Sequence, residues 1–217
     1  MTPLRTPFSG ALVLWSTTPE PSPPFLVDRI LARRPRESER TVRLVVLQTP
    51  LAEPQPEQVA MLEQQFSGHG VPVEATDAGL QSADDAANPA VIARIDAADF
   101  VLVTGGDPER MAAIVRNTPA EEALRRGLQR GGIVGGGSAG AMVWAGGMAA
   151  GKASDPSGVS PLLGWLPDLV VAPHFGRYPI AGWQALFPDA TILGLPDGAV
   201  VMVTSGTLGQ RILTSLG

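Results

Sequence analysis

Short, densely apolar runs alternate along the chain with longer stretches in which apolar residues recur every three or four positions. The first kind has the length and composition of buried strands, the second the period of an amphipathic helix. Residues 10–15 read as a strand, 24–34 as a helix and 42–48 (VRLVVLQ) as a strongly buried strand. A helix is expected over 57–68, a short strand over 72–76, a helix over 88–98 and a strand over 100–104 (FVLVT). Helices follow over 108–117 and 119–130, the second with Thr118 placed to cap it. A glycine-limited strand over 132–135 runs into Ser138, and a helix is expected over 139–148. Beyond Leu169 the runs shorten, and 170–172, 191–195, 199–203 and 207–210 read as closing strands, some antiparallel.

Alternation of this kind builds βαβ units, so the expected class is α/β, with a mostly parallel central sheet and helices on both faces. The 217 residues suit one domain, 1–217, because the proline-rich stretches 19–24 and 50–56 are too short to be linkers. A net charge of -5 argues against nucleic acid or an anionic membrane as partner, since both need a basic surface. The early apolar run 10–15 is too short for a signal-peptide core or a membrane span, which makes the cytoplasm the expected location. The chain has no cysteine, which removes disulfides, thiolate metal sites and cysteine nucleophiles together. It has two histidines, His69 and His174, so a histidine-rich metal site is excluded, and neither metal nor organic cofactor is expected.

The strongest chemical signal is Gly135-Gly136-Gly137-Ser138-Ala139-Gly140-Ala141, a serine between an apolar strand and a helix. A nucleophile elbow turns so tightly that side chains two before and two after the serine would clash, and both places are glycine here. The serine then projects at a helix N-terminus, where the Ala139 N–H and the helix dipole face a developing oxyanion. A phosphate-binding loop would want Lys before Ser or Thr, and a dinucleotide loop an acidic residue about 20 positions on.

A second signal, Thr104-Gly105-Gly106-Asp107-Pro108, follows the FVLVT strand directly. Ligands of an open parallel sheet sit beyond the carboxyl ends of the strands, so this loop belongs beside the elbow. Gly106 is the candidate for a second oxyanion N–H, while Asp107 also reads as an ordinary helix cap. His174, at the end of the apolar run in VVAPHFG, is the candidate base; its rival His69 lies in a polar Ser-Gly-His-Gly loop. The carboxylate that would orient the imidazole is Asp197, Asp155 or Asp168, and spacing alone does not choose among them.

Four blocks in order, TGGD at 104–107, GGSAGAM at 136–142, PHF at 173–175 and LGLPDG at 193–198, resemble the peptidase E / cyanophycinase family of serine peptidases. The resemblance covers most of the chain from Val42 onward. It implies a flavodoxin-like domain of the class I glutamine amidotransferase kind. It also implies Ser138 as nucleophile, His174 as base, and Gly106 with Ala139 as oxyanion hole. Peptidase E carries a glutamate as triad acid in the block that matches LGLPDG, and the matching residue here is Asp197. Cyanophycinases carry acidic and amide residues before the histidine and several arginines after it. Ala172-Pro173 and a single Arg177 stand there in this chain, which argues against cleavage of a β-linked aspartate–arginine polymer.

The expected function is hydrolysis of short peptides by an exopeptidase, a dipeptidase or carboxypeptidase. Asp107 and Glu109 are candidates to meet a free amine, Arg110 and Arg177 a carboxylate. The expected partners are the peptide substrate and, for assembly, a homodimer. Two other classes compete. An esterase of the α/β-hydrolase kind places its acid before the histidine and more strands after the elbow, whereas 217 − 138 = 79 residues follow Ser138 here. A non-catalytic sensor on the same fold would not need serine, histidine and carboxylate together.

Overall fold

The computed structural model describes residues 9–16, 41–68, 72–152, 155–177 and 183–204, with backbone alone at 151–152 and 155–157. The helix expected at 24–34, the strand expected at 207–210 and His69 lie outside the described residues.

Among these residues, six strands form the central sheet: β1 (Ala11–Trp15), β2 (Val42–Leu47), β3 (Val73–Asp77), β4 (Phe100–Val103), β5 (Ile133–Gly137) and β10 (Val200–Thr204). Their order is β10-β1-β5-β4-β2-β3, parallel throughout except that β10 runs antiparallel to β1. Residues alternate between the two faces, as the pleat requires. Leu12, Leu14, Val45, Leu47, Val101, Val103 and Val134 pack on one side. Ala11, Val13, Trp15, Leu44, Val46, Phe100, Leu102 and Ile133 pack on the other. Near-complete burial of both faces explains why the strands are apolar runs rather than alternating ones.

Helices follow strands in the expected rhythm. The helix α1 (Pro56–Ser67) covers the second face through Leu62 and Phe66, the latter ring meeting Phe100 edge-on at 5.7 Å. The first face is covered by α2 (Ala83–Ala87), α3 (Pro89–Ala97), α4 (Pro108–Val115) and α5 (Pro119–Gln129). Thr118 caps α5 by accepting from Glu121 N–H, as expected. The short α2 was not expected from the sequence; Ser82 caps it, accepting from Asp85 N–H.

The segment after the elbow departs from expectation. In place of a helix over 139–148, α6 spans Ala139–Met142 and ends. Val143, Trp144 and Ala145 are wholly buried, so no face is left for the polar positions a helical period needs. The chain turns at Gly146, packed against Pro167, and enters β6 (Gly147–Lys152). It pairs there with β7 (Asp155–Pro161) as an antiparallel hairpin. A second small sheet pairs β8 (Leu169–Pro173) with β9 (Thr191–Leu195) in parallel, bridged in sequence by α7 (Trp183–Leu186). Among the described residues no helix is long and apolar enough to cross a membrane.

Candidate active site

The carboxyl ends of β1, β4, β5 and β8 and the turn after β9 converge on Ser138. At β5 the expected elbow geometry holds. A Cβ added to Gly136 would lie 2.6 Å from the carbonyl oxygens of both Gly140 and Val103, and one added to Gly140 would meet the same Val103 carbonyl. Glycine is therefore sterically required two before and two after the serine. Ser138 itself has φ 53° and ψ −116°, in the left-handed region where a non-glycine residue is strained. Its N–H donates to Trp15 O at 3.1 Å, which ties the strained turn to the end of β1.

The serine hydroxyl faces an imidazole. Ser138 Oγ lies 3.2 Å from His174 Nε2, and His174 Nδ1 lies 2.9 Å from Asp197 Oδ1. A carboxylate can only accept, so Nδ1 carries the hydrogen and Nε2 is left as the acceptor for the serine hydroxyl. A nucleophile, a base and an orienting group need contacts in this order. His174 follows β8 directly and also has positive φ, 54°, which aims its ring back over the sheet end. Asp197 sits in the turn after β9 that Ala199 N–H closes onto Pro196 O, with Gly198 at φ 82° supplying the left-handed step. Asp168 precedes β8 while His174 follows it, so the five-residue strand separates them by roughly 16 Å. Asp155 opens β7.

One contributor carries no sequence motif. Ser16, the first residue past β1 and wholly buried, donates its hydroxyl to Asp197 Oδ1 at 2.9 Å and accepts His174 N–H at 3.0 Å. Arg177 forms an ion pair with Asp197 Oδ2. Burial works against ionisation of Asp197, but the hydrogen bonds from His174 and Ser16 and the charge of Arg177 outweigh it and hold the carboxyl below its ordinary value.

The Gly105-Gly106 loop lies beside the serine, as expected: a Cβ on Gly105 would stand 3.6 Å from Ser138 Cβ. Gly106, at φ 131°, rests on Pro50, where a side chain would meet the Pro50 carbonyl. Ala139 opens α6, and a first-turn N–H has no intrahelical acceptor. With α6 only four residues long, a summed helix dipole contributes little, and the individual N–H group is what the site offers.

Two residues considered for substrate contact are engaged in structure instead. Asp107 caps α4, its Oδ1 accepting from Glu109 N–H at 2.9 Å and Arg110 N–H at 3.2 Å. Arg110 is a brace: Nε donates to Thr49 O and Leu51 O, and Nη2 to Gln81 O. Those bonds hold the loop that carries Pro50 under Gly106. Glu109 is exposed, and Arg177, at 65% side-chain exposure, stays open to solvent beside the histidine.

The family model described as "Peptidase family S51" matches residues 45–210. Among solved structures, a peptidase from an acI-B1 Actinobacterium is similar at a TM-score of 0.73 and 20% identity, over 94% of this chain and 86% of that one. A putative peptidase E protein from Listeria monocytogenes EGD-e is similar at a TM-score of 0.60 and 17% identity, over 89% of this chain and 94% of that one. These likenesses are of fold. No curated protein matches the chain.

Proposed function

The chain belongs to peptidase family S51 and is a serine peptidase, and we propose that it is an exopeptidase that acts on short peptides and engages their free carboxyl terminus. Ser138 is the nucleophile in this reading. His174 takes the hydroxyl proton at Nε2 as Oγ attacks the scissile carbonyl carbon. Asp197 keeps the hydrogen on Nδ1 and stabilises the imidazolium that forms. The N–H groups of Gly106 and Ala139 receive the oxyanion. As the tetrahedral centre collapses, the C–N bond breaks and His174 returns its proton to the leaving amine. Water, deprotonated by the same Nε2, then hydrolyses the acyl-enzyme ester and restores Ser138.

The observation that carries this reading is the unbroken path Ser138 Oγ, His174 Nε2, His174 Nδ1, Asp197 Oδ1 at 3.2 and 2.9 Å. Recognition of a carboxylate rather than an amine is supported by the division of labour among the charged candidates. Asp107 and Arg110 serve the α4 cap and the Pro50 loop, whereas Arg177 is exposed and three residues from the base. A guanidinium presents five donors, so one side of it can hold Asp197 while another meets a substrate carboxylate.

The test compares free dipeptides and tripeptides with the same peptides amidated at the carboxyl end or acetylated at the amino end. A charge-assisted contact contributes about 1.5–3 kcal/mol, so amidation should lower kcat/KM by about tenfold or more. Acetylation should cost less. Equal cleavage of doubly capped peptides or unfolded casein would replace this reading with an endopeptidase.

A further inference from the structure

We propose that Ser16 is a positioning residue that holds the Asp197 carboxylate on His174 against the pull of Arg177. The inference rests on Ser138, His174 and Asp197 acting as the triad. One buried hydroxyl touches two of its members: it donates to Asp197 Oδ1 at 2.9 Å and accepts the backbone N–H of His174 at 3.0 Å. The backbone of Ser16 grips the same turn, its N–H donating to Ala199 O at 3.2 Å. The preceding residue holds the nucleophile, Trp15 O accepting Ser138 N–H at 3.1 Å. The end of β1 is therefore a common reference point for the three segments that bring serine, histidine and aspartate together.

A hold is needed because Asp197 is claimed from two sides. Its Oδ1 receives the imidazole N–H and the Ser16 hydroxyl, and its Oδ2 faces the guanidinium of Arg177. Guanidinium and carboxylate favour a two-pronged pairing that uses both oxygens. Rotating Asp197 into that pairing would take Oδ1 away from the imidazole. Arg177 is exposed and free to follow such a rotation, while Ser16, on a buried strand end, is fixed. The hydroxyl thus anchors Oδ1 from a point that does not move with the surface. It also satisfies the N–H of His174, whose φ of 54° is a strained conformation that needs support from its surroundings.

The experiment measures labelling of Ser138 by a small fluorophosphonate, per folded molecule, across pH. The probe has no carboxylate, so the result does not depend on substrate recognition by Arg177. Ser16→Ala should label more slowly by about tenfold or more, as expected when a catalytic base loses its alignment. Its acid-side midpoint should fall, because a carboxylate drawn toward Arg177 stabilises the imidazolium less. Adding Arg177→Ala to Ser16→Ala removes the competitor, and labelling should recover by about threefold or more, a non-additive pair. Ser16→Thr keeps the hydroxyl and should retain the parent midpoint; it and Ser16→Cys carry the comparison if Ser16→Ala does not fold. Parent-like rate and midpoint in Ser16→Ala, or no recovery in the double variant, would overturn the proposal. A parent protein that the probe does not label at all would instead overturn the triad on which it rests.

Discussion

Replacing Gly136 by alanine puts a methyl group where the backbone leaves no room. The new carbon would lie 2.6 Å from two carbonyl oxygens, Val103 O on the neighbouring strand and Gly140 O in the first turn after the elbow. Such contacts essentially never fall below 3.0 Å, so each must lengthen by at least 3.0 − 2.6 = 0.4 Å. Both obstacles are backbone, and relief requires β5 to part from β4 or α6 to shift. Overpacking of this kind costs about 1–3 kcal/mol, and with no side chain able to yield the upper end applies. For a chain of this size each kcal/mol lowers Tm by about 2–4 °C, which gives a fall of roughly 6–12 °C. A shift of a few tenths of an ångström passed on to Ser138 should cost about tenfold in turnover, since ~1 Å of misplacement costs on the order of a hundredfold. The control is Gly105→Ala, whose added carbon meets Ser138 Cβ at 3.6 Å and Gly137 O at 3.9 Å, both ordinary contacts. It should melt within about 2 °C of the parent yet lose activity, because the methyl group stands over the nucleophile. Thermal melts followed by circular dichroism, with fluorophosphonate labelling of the folded fraction, measure both effects. A Gly136→Ala protein that melts with the parent, or one more stable than Gly105→Ala, would refute the steric reasoning.

Ser138→Ala should reduce peptide turnover by about 10³-fold or more with the fold retained, measured by steady-state hydrolysis of free dipeptides. Arg110→Ala should cost about 1–3 kcal/mol of stability from lost bonds to the Thr49, Leu51 and Gln81 carbonyls, and Arg110→Lys should not restore it, since one ammonium does not span the same acceptors. Glu121 is buried, which disfavours its charge, but bonds from Trp165, the Asn117 N–H and Arg125 outweigh burial and hold its carboxyl below the usual range. A depressed carboxyl gives stability that is full above the unfolded value of about 4.3 and is lost as pH falls through the folded value. Glu121→Gln should therefore lower stability near neutral pH by about 2 kcal/mol and flatten the acid side of the stability profile; an unchanged urea midpoint at every pH would contradict this.

The strands of the parallel sheet were legible because burial on both faces leaves a continuous apolar run, and VRLVVLQ and FVLVT are such runs. The elbow was legible because its two glycines are a steric necessity that leaves a mark in sequence. The helix expected at 139–148 failed for a reason of burial: AGAMVWAGGMAA carries apolar residues all round, and with Trp144 wholly buried its pattern has no period to read. The β6–β7 hairpin is built largely from Gly, Ala, Ser and Pro, residues with little strand preference, so tertiary pairing decides it. Ser16 left no mark because its role comes from the antiparallel pairing of β1 with β10, which brings the Pro196–Ala199 turn onto the end of the first described strand. Asp107 and Arg110, at the cap and in the first turn of α4, carried the right charges beside the right loop. What composition does not reveal is that the α4 cap and the Pro50 loop already use their polar atoms.

The bond from Ser16 to Asp197 joins residues 181 positions apart. At a synthesis rate of about 5–20 residues per second, roughly 10–35 s pass between the emergence of the two. Only over the last 197 − 174 = 23 residues of that interval, roughly 1–5 s, does the nascent chain carry both the elbow and the histidine without the carboxylate or the strand β10 that closes the edge beside it. The hydrogen-bonded cluster is therefore completed by nearly the last described segment to be made. A chain truncated before the LGLPDG turn therefore holds Ser138 and His174 without the carboxylate that accepts from the imidazole in the folded protein, and on the proposed function it should be inactive until that turn is made.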